Sequence, residues 1–218
     1  MNQDLTTYYR DRAKEYEKVY LIPEEQEDLA RSVKLFQELF HKKNVLEIAC
    51  GTGYWTEQIS LSANSIFATD INETVIEIAR ARKEFDNVVF EVKDMYDLKP
   101  STIYDALFGG FIWSHIPLQE LGNFLFTLTK FLKPDAIIAF IDSKPVKNTI
   151  HDANRITKTD EHGNTFQTRT LENGSSHLVL KNFPSRDLLI EKLSAFSSDI
   201  NYIDLDNYWI VTSKLKKI

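Results

Sequence analysis

The chain has 218 residues, of which 43% are hydrophobic and 27% charged. That is the balance of one soluble globular domain with room for a substantial core. A net charge of −6 gives no electrostatic footprint for a phosphate backbone, so nucleic acid is not expected as a partner. The lone cysteine, Cys50, excludes an internal disulfide and fits a reducing compartment. With no signal-peptide core and no apolar run of membrane length, a cytoplasmic protein that does not engage the bilayer is expected.

In chain order, residues 5–20 read as a polar, aromatic-rich helix on which Tyr9, Arg12 and Tyr16 share a face. It is either a packing helix at a sheet edge or a cover over a ligand. Pro23 interrupts it, and Glu24-Glu25-Gln26 opens a second helix with Leu29, Val33, Phe36, Leu39 and Phe40 inward. The run Val45-Leu46-Glu47-Ile48-Ala49-Cys50 predicts a buried strand, Gly51-Thr52-Gly53 a turn, and residues 54–61 a helix. Strand, glycine turn and helix open a nucleotide-binding βαβ unit, where backbone N–H groups can approach a ligand closely. A dinucleotide fingerprint needs a third glycine where Thr56 stands. Glu47, just before the turn, would repel a pyrophosphate but could accept a hydrogen bond from an ammonium. Asp70 closes the next strand, residues 65–70, at the distance where an acid meets ribose hydroxyls. Two acids without a basic phosphate clamp suit an adenosine with a positively charged tail.

Asn72 is placed to cap a helix reaching about residue 83, with Val75, Ile76 and Ala79 inward. Residues 88–92 predict a third strand, with Asp94 and Met95 at its end, where open α/β sheets hold ligands; Asp94 serves either as a ligand contact or as the cap of the turn before Tyr96. Residues 104–111 predict a fourth strand interrupted by Gly109 and Gly110, a pairing that points to a close approach of something to the backbone. Asp105, at its start, reads as structural. An aromatic loop follows with Phe111, Trp113, Ser114 and His115. His115 is either a proton acceptor or a buried histidine bonded to backbone. Residues 118–132 predict an amphipathic helix stopped by Lys133-Pro134, and residues 136–142 a strand covered on both faces. The composition then turns polar. Residues 165–171 and 177–183 alternate as two strands around the hairpin signal Glu172-Asn173-Gly174. Either this insertion folds over the mouth of the site and offers His151, Arg155 or Arg169 to a substrate, or it is a surface hairpin. A last helix from Pro184-Ser185-Arg186-Asp187 and two strands, 200–205 and 208–213, close the chain.

The residues Glu47-Ile48-Ala49-Cys50-Gly51-Thr52-Gly53, with Asp70 and Asp94-Met95 downstream, resemble class I S-adenosylmethionine-dependent methyltransferases. The resemblance covers residues 8–133 by motif and the rest by strand order. Tyr8-Tyr9-Arg10-Asp11-Arg12-Ala13-Lys14-Glu15-Tyr16 is similar to the YYxxRAxEY segment of small methyltransferases, in which tyrosines and the arginine reach the cofactor's methionine end. It implies a three-layer α/β/α Rossmann-like fold: a seven-stranded, mostly parallel sheet with an antiparallel last strand, plus an inserted hairpin lid. In one domain, it implies a helical lid (1–42), a cofactor-binding core (43–142), an inserted lid (143–183) and a closing helix and strand pair (184–218). The cofactor implied is S-adenosyl-L-methionine. Its contacts would be Tyr9, Arg12, Glu47, Ala49, Gly51, Gly53, Trp55, Asp70, Ile71, Asp94, Met95, Gly110 and Phe111, with His115 the candidate catalytic residue.

Methyl transfer from a sulfonium is an in-line displacement, so alignment and exclusion of water come first, and a base is required only when the nucleophile must lose a proton. No Asn-Pro-Pro-Tyr tetrapeptide is present, which argues against methylation of nucleic-acid bases, and no cluster has metal-ligand spacing. The expected reaction is methyl transfer to an oxygen or nitrogen of a small molecule. A macromolecular acceptor (protein or RNA), a nicotinamide oxidoreductase and a non-catalytic nucleotide-binding protein stand as alternatives.

Overall fold

The computed structural model describes residues 3–99, 102–145 and 156–217. In chain order its elements are α1 (Gln3–Arg12), α2 (Gln26–Leu39), β1 (Asn44–Ile48), α3 (Tyr54–Ser60), β2 (Ser65–Asp70), α4 (Glu73–Ala81), β3 (Val88–Val92) and β4 (Tyr104–Gly110). They continue with α5 (Leu121–Thr129), β5 (Leu132–Ser143), β6 (Ile156–Thr159), β7 (Thr165–Thr170), β8 (Ser176–Leu180), α6 (Arg186–Ser194), β9 (Ser197–Asp204) and β10 (Tyr208–Leu215). Seven strands form one sheet in the order β3-β2-β1-β4-β5-β10-β9, and β6-β7-β8 form a second. In the large sheet β10 alone runs antiparallel to both its neighbours, while β1, β2, β3, β4 and β5 pair in parallel.

Two-residue alternation along β1 produces the three layers. Leu46 and Ile48 face a cluster built with Leu107, Phe140 and the inner sides of α5 (Leu121, Phe124, Leu128) and α6 (Leu189, Leu193). Val45 faces the opposite cluster, with Ala106, Phe108, α2 (Leu29, Phe36), α3 (Trp55, Ile59) and α4 (Ile76, Ala79). Phe36, Phe40 and Phe108 are fully buried and in mutual ring contact; truncating any one to alanine is expected to cost about 3–5 kcal/mol.

The elements depart from their sequence-based bounds in instructive places. The helix expected over 5–20 ends at Arg12, and the chain turns into a 3-10 segment, Tyr16–Leu21. Tertiary contacts draw it off axis: Tyr20 stacks on Tyr54 at 3.7 Å, and Glu17 bonds Thr52 and pairs with Arg82. Helix α5 spans Leu121–Thr129 rather than 118–132, because Leu132 already pairs with Tyr104. Pro134 and Asp135 are therefore absorbed in a bulge, at which Asp135 takes φ 64°. The inserted segment carries a third strand, β6, beside the two expected. Asn72 holds the N-cap position, but its side chain donates to the Thr6 carbonyl at 3.3 Å instead of capping α4. Among the described residues no helix is long and apolar enough to cross a membrane. None of their His, Cys, Asp and Glu side chains cluster as a metal site.

Candidate active site

The carboxyl ends of β1, β2 and β4 meet at a cavity, and its floor is made by backbone. Ala49 (φ 50°), Gly51 (φ 55°) and Gly53 (φ 83°) are left-handed in succession between β1 and α3, a conformation that favours glycine. Gly53 cannot take a side chain, because a Cβ there would lie 2.9 Å from that of Ala79 on α4. At Gly51 nothing lies within 4 Å of the same position, so that turn faces open space. Asp70 ends β2 beside it, accepting from the Gly51 N–H at 3.0 Å and the Asn72 N–H at 2.9 Å. Its carboxylate thus ties the two loops together and borders the cavity. On the far wall Phe111, another left-handed non-glycine residue (φ 56°), follows β4.

Above this floor, α1 packs on the second sheet through Leu5, Tyr8, Leu171 and Val179. Tyr9 and His115 form the junction. The Leu180 carbonyl, 2.5 Å from His115 Nδ1, can only accept, so Nδ1 carries the proton. Nε2 then accepts the Tyr9 hydroxyl at 2.6 Å. Burial, reinforced by the Lys181 charge, pushes the imidazole down to about 3, so it is neutral at physiological pH. Behind it Lys181 Nζ donates to Asp142 Oδ1 and to Ser114 Oγ, both at 2.8 Å, and Asp142 Oδ2 accepts from the Ser114 N–H at 2.9 Å. Against the burial that would raise it, the Lys181 ammonium holds the Asp142 carboxyl below the usual carboxylate range. Asn164 accepts from the Leu118 N–H and Asn182 donates to the Ile116 carbonyl, tying the inserted segment to the loop after β4, and the Asn182 amide also donates to Asn164 Oδ1.

Tyr9, Ala49, Gly51, Asp70, Ile71, Met95, Gly110, Phe111 and His115 come together around the first cavity, as do Leu5, Thr6, Asn72 and Lys93. Tyr9, Tyr16, Phe111 and His115 also border a second, wider cavity lined by Arg12, Gln167, Arg169 and Lys181. Glu47, Gly53, Trp55 and Asp94 line neither. Glu47 shares the face of Val45, so its carboxyl is enclosed beneath the turn, and burial pushes it up to about 8. Trp55 fills the space left by Gly110, where a Cβ would lie 2.7 Å from its ring. Phe140 does the same at Gly109, so protein aromatics occupy the close approaches at the paired glycines. Asp94 accepts from the Tyr96 N–H at 2.9 Å, the turn-capping alternative. Asp105 accepts from the Asn44 N–H and Lys133, a structural role. His151 and Arg155 lie outside the described residues. Sequence reasoning missed the Lys181–Asp142 pair; the available signal was an acid ending β5 as Asp70 ends β2.

The residues present fit an adenosyl amino acid: a free-facing glycine turn, a carboxylate for hydroxyl donors, and apolar Ile71, Val75 and Met95 for a flat ring. Comparison with known proteins points the same way. Residues 45–135 match the family model described as a methyltransferase domain. The malonyl-[acyl-carrier protein] O-methyltransferase of Bacillus cereus is 36% identical over 100 residues, covering 44% of this chain and 36% of that protein. The chain thus spans about a third of the length of that curated relative. Along nearly its whole length it is similar to DhpI in a complex with S-adenosylhomocysteine, at TM-score 0.81 and 26% identity, covering 99% of this chain and 97% of the other. The N-methyltransferase NodS from Bradyrhizobium japonicum shares the fold at TM-score 0.69 and 14% identity, over 99% of this chain and 100% of that one. Residues 45–135 thus match a methyltransferase-domain model, in a chain whose fold throughout is the Rossmann-like one shared with S-adenosylmethionine-dependent methyltransferases.

Proposed function

We propose that this chain is an S-adenosyl-L-methionine-dependent methyltransferase acting on an oxygen or nitrogen of a small molecule in the cytoplasm. The observation that carries the reading is the cavity at the carboxyl edge, bordered at once by the Gly51 turn, Asp70, Met95, Gly110 and Phe111. When bound, the cofactor supplies an electrophilic methyl group on a sulfonium. Asp70 accepts from hydroxyls of the sugar, Gly51 offers its open backbone face, and Ile71 and Met95 pack on the ring. Arg12 and Tyr9 belong to the cover formed by α1 and the second sheet, which excludes water and orients the acceptor. That cover favours a small acceptor over a macromolecular one, since α1 borders the cavity through Leu5, Thr6 and Tyr9 and is itself backed by the second sheet. His115 is the positioning group for Tyr9, its Nε2 lone pair already engaged.

Calorimetric titration tests the reading directly. S-Adenosylhomocysteine binds and NAD does not; Asp70→Asn weakens the former roughly 10- to 100-fold, as expected for losing charge-assisted hydrogen bonds. NAD binding in preference to the adenosylated amino acid would sink the proposal. Transfer of labelled methyl from the cofactor into a metabolite pool separates an enzyme from a protein that only binds.

A further inference from the structure

Tyr9, Tyr16, Phe111 and His115 border both cavities, so a methyl group passing from cofactor to acceptor crosses between them. Among the described residues no base is free on the α1 side of this crossing. His115 Nε2 accepts from Tyr9, and Nδ1 is held by the Leu180 carbonyl. Asp142 lines neither cavity and is bound by Lys181 and the Ser114 N–H. Burial raises the Tyr9 phenol, which therefore gives up no proton at neutral pH. Arg12 and Arg169, both over the Tyr8 ring, are donors with no lone pair to offer.

The Phe111 side differs. Tyr208, at the start of β10, is buried with its ring 5.4 Å from that of Phe111. Its hydroxyl donates to Oε2 of Glu25, the residue before α2. Glu25 is half-buried and borders the second cavity. Tyr208 fixes one carboxylate oxygen, and among the described residues nothing bonds the other, Oε1. Burial pushes this carboxyl up and the Tyr208 bond draws it back, while Asp28 and Glu24 add to the rise. The cations of the cavity stand elsewhere. Arg12, Arg169 and Lys181 act on Tyr9, Tyr16 and His115, and Lys144 is engaged by Asp204 and the Leu205 carbonyl. Of the other acids that border this cavity, Glu15 acts on Lys18 and Asp206 is exposed; neither is oriented toward the crossing by a buried partner.

Building on the methyltransferase reading, we propose that the acceptor is a small amine and that Glu25, oriented by Tyr208, takes the proton its nitrogen must lose. The ammonium donates to Oε1 and passes that proton to it. The lone pair so freed forms the N–CH3 bond as the S–CH3 bond breaks, whose electron pair remains on sulfur. An N-methylammonium and a neutral thioether result, and the proton leaves Glu25 for solvent. Basicity selects the amine: an ammonium ordinarily titrates at about 8–10, within reach of a carboxylate raised by burial, whereas a hydroxyl close to that of water, about 15.7, is not.

Transfer of labelled methyl from S-adenosyl-L-methionine into a metabolite extract by the full chain tests this. The expected product keeps its label through base hydrolysis and is retained on a cation exchanger. An ester, which base hydrolyses, or a neutral ether overturns the proposal, as does absence of transfer by a chain that binds S-adenosylhomocysteine. Glu25→Gln keeps an oxygen for the Tyr208 hydroxyl but cannot take the proton. Transfer should fall about 10²- to 10⁴-fold while the S-adenosylhomocysteine dissociation constant stays within about two-fold. Glu25→Asp recovers part of the loss, and circular dichroism establishes that each variant is folded. The pH profile adds a reading that a structural role would not move. The acid limb of the parent should vanish from the residual activity of Glu25→Gln. In Tyr208→Phe, which lacks the bond that lowers the Glu25 carboxyl, it should move to higher pH. A Glu25→Gln rate within about three-fold of the parent, or an acid limb that survives in it, overturns the proposal. Failure of S-adenosylhomocysteine to bind overturns the methyltransferase reading, and the base with it.

Discussion

The two walls of the site are built by different means. The lower wall, at the ends of β1, β2 and β4, is made by backbone: left-handed residues at 49, 51 and 53, and a carboxylate that bonds two amides. The upper wall, α1 with β6, β7 and β8, is made by side-chain pairs across long stretches of sequence. Tyr9 meets His115 across 106 residues, His115 meets Leu180 across 65, and Lys181 meets Asp142 across 39. Backbone geometry tolerates substitution wherever the turn survives. A wall of paired polar groups fails when one partner is lost, because the other stays buried without it.

The largest expected effect tests that contrast. Lys181→Met leaves the fully buried Asp142 carboxylate without its ammonium, and removing one member of a buried pair costs about 3–5 kcal/mol. For a domain of this size the midpoint of thermal unfolding should fall by about 10 °C. The double variant Lys181→Met/Asp142→Leu removes the stranded charge and should recover most of the loss, read by scanning calorimetry. A single variant as stable as the parent would mean that the pair does not fasten the upper wall.

This difference also explains how far the sequence could be read. Gly51, Gly53 and Asp70 announce their conformations through residue type and two-residue periodicity, which are local signals. The mostly parallel seven-stranded sheet is implied by the family resemblance rather than read from the pattern, whereas β2, β3 and β4 fall where their apolar runs lie. The upper wall carried no such signal. Lys181 lies in a run that looks like an ordinary strand end, and only the fold brings it to Asp142. Residues 156–159 are too short and polar to read as a strand, and β6 exists because β7 offers it an edge. Even within the legible motif, side-chain roles were hidden. Glu47 and Trp55 flank the glycine turn in sequence, but alternation and packing turn both into the core.

Glu47 therefore supplies the second test, of intermediate size. Its carboxyl has an ordinary value of 4.5 and is pushed up to about 8 in the fold. An acid that holds its proton more tightly when folded contributes stability below the unfolded value. That contribution is lost as pH rises through the folded one. The parent should thus weaken between pH 4.5 and 8, whereas Glu47→Gln, which never ionises, should not. Urea unfolding of the two should agree at pH 4.5 and diverge by about 2–4 kcal/mol at pH 9, with the variant the more stable. Parallel pH profiles would put Glu47 in contact with solvent or a counter-charge, and on the cavity wall after all.

The smallest effect probes the backbone wall itself. Ala49 is held at φ 50°, where a Cβ crowds the carbonyl and costs about 1–2 kcal/mol. Glycine removes that crowding but gives the unfolded chain more freedom, an opposing contribution of about 0.4–1 kcal/mol. The difference predicts that Ala49→Gly is stabilising by roughly 0.5 kcal/mol, a rise of about 1–2 °C in unfolding midpoint. In the upper wall Asn164 and Asn182 are not left-handed and their side chains carry contacts, so truncating either to glycine should destabilise. A clear loss of stability in Ala49→Gly would mean that its methyl group packs rather than strains, and that the lower wall, too, depends on side chains.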